Sequence, residues 1–357
     1  VIPGLSGIEQ DQIGAILQSG RLVIVGPVNY CTGGPVSNTG LALTTLGICT
    51  RLMGKVGDDL FGRAIQGVIR GYGADDADLS EAMVVDPTTN TSYTVVLSPP
   101  GIDRTFLHHP GANDTFGADD VRYDMVADSR LFHFGYPPLM KQMYETGRSD
   151  LTQIFQRAKD TGVTTSLDMA LPDPTSPAGR ADWRGILRSV LPYTDLFLPS
   201  IEEILFMLYR ETYQALCEKA GGPSILPLLQ PELLSDVSQD LIEMGAKVVA
   251  LKLGDRGLYL RTTDVGVLEA MGRGRPSDVV SWANRELWAP CFRAELVGTT
   301  GSGDATIAGL LSALLRDLSP EQAITAAVAV GACNVEAADA LGGLRSWEET
   351  WQRVRSG

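Results

Sequence analysis

The sequence predicts an α/β fold layered around parallel strands, on three observations. Strand-like and helix-like segments alternate along most of the chain. The strand candidates are short, nearly continuous apolar runs, which suits parallel strands buried on both faces. Two β-rich stretches near residue 100 stand outside that rhythm and predict a small separate sheet.

In chain order, 21–30 (RLVIVGPVNY) reads as a strand, followed by the turn Gly33-Gly34-Pro35 and apolar residues at helical spacing over 36–46. Asp58-Asp59 opens a second helix running to residue 72, because acids favour a helix N-terminus. The β-rich stretches 92–97 and 104–108 flank Ser98-Pro99-Pro100-Gly101, which is strong turn chemistry. Together with 21–30 they supply the small sheet, a lid drawn from about 21–33 and 91–110. From about residue 120 the rhythm is regular, with strands at 131–134, 163–167, 196–198 and 248–251. Helices fall at about 138–146, 149–161, 183–191, 201–210 and 232–244. An irregular stretch over 266–291 precedes two closing helices at 304–316 and 320–338.

The 357 residues suit one large domain or two ordinary ones, and a single domain is expected. With 29 basic and 43 acidic residues the net charge is −14, which repels nucleic acid and anionic membrane alike. No apolar run approaches the roughly 18 to 20 residues needed to cross a bilayer. Five widely spaced cysteines, an odd number without a C-x-x-C pair, suit a reducing compartment, with the cytoplasm as default.

The chemistry concentrates in Gly298-Thr299-Thr300-Gly301-Ser302-Gly303-Asp304-Ala305. Glycines allow a sharp turn that gathers backbone N–H groups, and the helix that follows adds unpaired donors and the positive end of its dipole. That is a site for an anion. An isolated Gly-Asp would mostly be a helix cap. Beside an anion site, the Asp304 carboxylate is also placed to take a proton from a hydroxyl attacking a phosphoryl group. Gly33, Gly34 and Asn38 form a second constellation, where a ligand can approach backbone and find an amide. Taken alone, a plain turn with a cap explains it better. Lys252-Leu253-Gly254-Asp255-Arg256-Gly257 reads equally as a hairpin turn and as a nucleotide loop.

These residues resemble the PfkB, or ribokinase-like, family of carbohydrate kinases. Gly33-Gly34-x-x-x-Asn38 with Gly54-Lys55-Val56-Gly57-Asp58-Asp59-x-x-Gly62 is similar to its N-terminal signature. Thr299 to Ala305 is similar to its C-terminal one, D-T-T-G-A-G-D. The resemblance implies a doubly wound, mostly parallel α/β sheet with a β lid, and transfer of phosphate from ATP with Mg²⁺ to a hydroxyl of a sugar or polyol. It assigns Asp304 as general base and Gly301, Ser302 and Gly303 as anion hole. Gly33, Gly34, Asn38, Arg104, Gly135 and Tyr136 would face substrate. Ser200, Lys252, Gly254, Gly257 and Asn334 would face the nucleotide, and Glu203 would act on Mg²⁺ through water. Lids of this family often pair, which allows a homodimer.

The chain departs from the pattern in three ways. Ser200 replaces the Asn of N-x-x-E, and Gly298 replaces an Asp tied to a monovalent-cation site, leaving K⁺ activation open. The family's first strand, with its substrate-binding Asp, is expected to lie before Val1-Ile2-Pro3, and this form to be less stable than one containing it. A nucleoside kinase and a non-catalytic sugar- or nucleotide-binding regulator remain the alternatives. No phosphate-binding P-loop, dinucleotide fingerprint or G-x-S-x-G elbow is present.

Overall fold

A computed structural model of the chain describes residues 2–3, 19–20, 22, 24–28, 30–73, 78–98, 105–145, 147, 150–222 and 224–356. Among the described residues the strands are β1 (Ile2–Pro3), β2 (Met53–Gly57), β3 (Ala82–Asp86), β4 (Tyr93–Ser98), β5 (Thr105–His109), β6 (Leu131–Phe134), β7 (Thr164–Leu167), β8 (Leu196–Phe197), β9 (Val248–Lys252), β10 (Leu258–Thr262) and β11 (Glu286–Ala289).

The main sheet has the order β11-β10-β9-β8-β7-β6. β6 to β9 run parallel, and β10 and β11 complete the sheet as antiparallel strands. Side chains alternate between two cores, as the strand period of two requires. On β9, Val249 and Leu251 enter one core with helices Asp150–Asp160, Trp183–Val190 and Pro231–Glu243. Val248 and Ala250 enter the other with helices Gly34–Thr45, Ser302–Leu315 and Pro320–Asn334. Helices therefore cover both faces, the doubly wound arrangement predicted. Asp59 caps the helix Leu60–Gly71 by accepting the Gly62 N–H at 2.8 Å, as its position suggested.

β4 and β5 form the predicted antiparallel pair in a small separate sheet. The third member differs from expectation. It is Ile2–Pro3, which pairs parallel with β4, whereas 22, 24–28 and 30 carry no strand. Gly26-Pro27 interrupts the stretch, and proline has no N–H to give a strand ladder. Leu22 and Ile24 are consequently left 92% and 88% exposed. The 266–291 stretch is also more ordered than expected, because Glu286–Ala289 adds β11 to the edge of β10. Arg104 and the tip of the 98–101 turn lie outside the described residues.

Among the described residues, β2 pairs only with β3 and β6 only with β7. Their facing edges line a cavity of about 2030 Å³, which extends to Asn38, Tyr136 and Gly298. No described helix is long and apolar enough to cross a membrane.

Candidate active site

The carboxyl ends of four parallel strands meet at one edge of the sheet, where open α/β sheets take their ligands. β6 is followed by Gly135 and Tyr136, β7 by Asp168, and β8 by the segment leading to Ser200. β9 ends in Lys252, which forms a parallel bridge with Ser200. The helix Ser302–Leu315 points its N-terminus at the same edge, with Asp304 in its first turn and 2% exposed.

Two glycines are required here by contact. Gly301 caps that helix at φ 74, and a Cβ on it would come within 2.6 Å of Ala340 Cβ. A Cβ on Gly135 would meet Pro35 Cβ at 2.6 Å, so only glycine lets β6 approach the Gly33-Gly34-Pro35 turn.

Asp304 is the hub. Its Oδ1 accepts from Thr39 Oγ1 at 2.9 Å, and its Oδ2 accepts from Asn38 Nδ2 at 3.0 Å and Tyr136 OH at 2.7 Å. Asn38 and Thr39 come from the helix Gly34–Thr45, which starts from Gly33 and packs on Ser302–Leu315. Asn38 Oδ1 remains buried without a protein partner, an acceptor suited to a ligand hydroxyl. Burial, reinforced by the charges of Asp304 and Asp168, raises the Tyr136 phenol well above its usual value, so it stays a donor.

Lys252 Nζ lies 2.5 Å from Asp168 Oδ1. Burial pushes the Asp168 carboxyl up, and the Lys252 ammonium pulls against it. Burial would lower the Lys252 ammonium, but Asp168, Glu203 and Asp304 together raise it. The short contact and the raised ammonium fit an ionised pair. Glu203, raised chiefly by burial, closes a capping box: its Oε2 accepts the Ser200 N–H at 2.7 Å, and Ser200 Oγ accepts the Glu203 N–H at 3.3 Å. Ser200 thus keeps a structural task in place of the longer asparagine.

Gly33, Gly34, Asn38, Gly135, Tyr136, Ser200, Glu203, Lys252 and Gly301 to Asp304 converge as the sequence suggested. Gly254 and Gly257 belong to the turn of the β9–β10 hairpin, and a Cβ on Gly257 would collide with the Ala289 carbonyl at 1.9 Å. Asn334 is fully buried and donates to the Ala340 carbonyl at 2.6 Å, holding the segment behind Gly301. Thr39 and Asp168 were not singled out from sequence. An acid ending an apolar strand, as in Ser166-Leu167-Asp168, was the available signal for the second.

The doubly wound sheet, with its ligand edge and small β sheet, is that of the sugar kinases. The chain belongs to the pfkB family of carbohydrate kinases, whose profile it matches over residues 8–346. It is 24% identical over 333 residues to a fructokinase-1 of Oryza sativa subsp. japonica, spanning 91% of this chain and 88% of that one. It is 25% identical over 293 residues to a fructokinase-1 of Zea mays, spanning 81% and 76%. Among solved structures, Arabidopsis thaliana ribokinase complexed with ribose and ATP superposes with a TM-score of 0.69 at 18% identity, covering 95% of this chain and 92% of that one. Fructokinase with bound ATP from Xylella fastidiosa gives 0.66 at 18% identity, covering 91% of each. These structural likenesses show the fold.

Proposed function

We propose that this sugar kinase transfers the γ-phosphoryl group of ATP to a hydroxyl of a sugar or related polyol, with Asp304 as the base. The observation that carries the reading is Asp304 itself, a buried carboxylate in the first turn behind Gly301, ringed by hydroxyl and amide groups. The acceptor hydroxyl donates to Asp304, and a neighbouring hydroxyl of the same substrate donates to Asn38 Oδ1. The acceptor's proton passes to Asp304 as the acceptor oxygen bonds phosphorus and the bond to ADP breaks. The turn Gly301 to Gly303 and the helix N-terminus receive the charge on the transferred oxygens.

Mg²⁺ fits the donor set only as an ion held mainly by phosphates and water. Among the described residues no three acidic, cysteine or histidine side chains cluster for a metal, and Glu203 Oε2 is engaged by Ser200. Glu203 would hold one of the ion's waters, and the ion when bound supplies charge neutralisation on the phosphates.

The test is ATP consumption against a panel of sugars, polyols and nucleosides, with Asp304→Asn in parallel. One acceptor is expected to drive turnover that the variant loses by about three orders of magnitude or more. Asp304 already accepts three hydrogen bonds, which also suits a non-catalytic binding protein. Ligand-induced stabilisation without turnover for any acceptor would establish that second reading.

A further inference from the structure

The Lys252 side chain runs along the glycine turn. A Cβ on Gly303 would lie 3.5, 3.7 and 3.7 Å from its Cδ, Cε and Nζ. The ammonium pairs with Asp168, and the negative charges of Asp168, Glu203 and Asp304 hold it protonated. Asp168 is fully buried, yet its Oδ2 has no partner. A buried ion pair seldom stabilises more than an apolar pair of the same shape, and an unpartnered carboxylate oxygen adds cost. The arrangement makes sense if a further group enters.

An ammonium carries three donors, and Asp168 takes one, so Lys252 can hold a second anion without leaving the first. The helix N-terminus beside it favours the same sign of ligand. We propose that Lys252 is a catalytic residue that hydrogen-bonds the phosphoryl oxygens at the Gly301–Gly303 turn. Asp168 is the positioning residue that keeps its ammonium aimed there. Lys252 keeps its proton throughout: the acceptor's proton goes to Asp304, the acceptor oxygen bonds phosphorus, and the bond to ADP breaks. Lys252 offsets the charge of the group in flight. This rests on the kinase reading above.

The test uses Lys252→Met together with the double variant Lys252→Met/Asp168→Leu, which removes both charges and so avoids a buried unpaired carboxylate. Affinities for ADP and for a non-hydrolysable ATP analogue are measured by calorimetry, and turnover alongside. The wild type is expected to prefer the triphosphate. The double variant should melt like the wild type and bind ADP, but lose that preference and about 10²-fold or more in kcat. Asp168→Asn should lower kcat with the KM for ATP unchanged. A stable double variant that keeps the preference or the turnover would reduce the pair to a structural one and overturn the proposal. So would a wild type that binds ADP and the analogue equally, while leaving the kinase reading intact. A wild type that binds neither nucleotide ends the kinase reading, and this inference with it.

Discussion

The Tyr136 hydroxyl lies 2.7 Å from Asp304 Oδ2, on a residue whose backbone is held in the left-handed region at φ 64. An acceptor hydroxyl approaching Oδ2 meets that phenol first. Tyr136→Phe removes the competitor without changing shape. The acceptor KM should then fall by about threefold to tenfold, the worth of roughly 1 kcal/mol, with kcat far less affected than in Asp304→Asn. Steady-state kinetics decide it. An unchanged KM would mean that the acceptor reaches Asp304 without displacing Tyr136.

Thr39 secures the other oxygen. Thr39→Val keeps the side-chain volume but leaves Asp304 Oδ1 buried and unpartnered. The expected loss is about 1–3 kcal/mol, measured by urea denaturation. A neutral result would show that water or a shifted neighbour takes the place of the hydroxyl.

Gly298 bears on cation dependence. A Cβ there would sit 2.9 Å from the Ala337 carbonyl oxygen and 3.1 Å from Ala338 Cα. A carboxylate side chain has no room without moving that segment. Turnover should be the same in KCl and NaCl, and Gly298→Asp should destabilise by about 1–3 kcal/mol through overpacking without creating K⁺ dependence. Activation of the wild type by K⁺ would refute the first expectation.

His133 predicts how the fold responds to acid. Its Nδ1 shares a hydrogen bond with Ser166 Oγ at 2.9 Å, while Nε2 is buried without a partner. Burial, helped by the charge of Lys252, lowers its pKa from 6.5 to about 3. Between those values the unfolded chain binds a proton that the folded chain refuses, so stability rises with pH. The contribution is fully present above pH 6.5 and is lost as pH falls through the window, at up to about 1 kcal/mol per pH unit. His133→Gln should flatten the dependence of the urea midpoint between pH 7 and pH 5. Identical slopes for the two proteins would rule the histidine out.

The glycine turn and Asp304 were legible because anion site, helix start and acid are contiguous in sequence. The partners of that acid were not. Thr39 is 265 residues away and reaches Asp304 only because one helix packs on another. Asp168 and Lys252, 84 residues apart, meet because β7 and β9 flank β8. Strand order decides such encounters, and local composition does not encode it. The 21–30 segment shows the converse, since its apolar residues suit a strand but Gly26-Pro27 breaks the ladder locally.

The unlinked edges of β2 and β6 leave the N-terminal part attached to the main sheet chiefly by the helix Gly34–Thr45 lying on Ser302–Leu315, and by Lys55 reaching Asp120 at 3.2 Å. Trp183, 1% exposed, packs in the core on the other face of the main sheet, whereas Trp282 shares the core that this helix enters. Prying the helix loose would carry Asn38 and Thr39 away from Asp304 and open the core around Trp282, while the surroundings of Trp183 stayed native. On slow heating, phosphoryl transfer should therefore cease before the emission of Trp183, read in a variant with the other tryptophans replaced by phenylalanine, shifts, and coincident transitions would contradict this. The working temperature ceiling of the enzyme is then set by how firmly one helix docks, and hardening that contact would raise it without touching the core on the other face of the sheet.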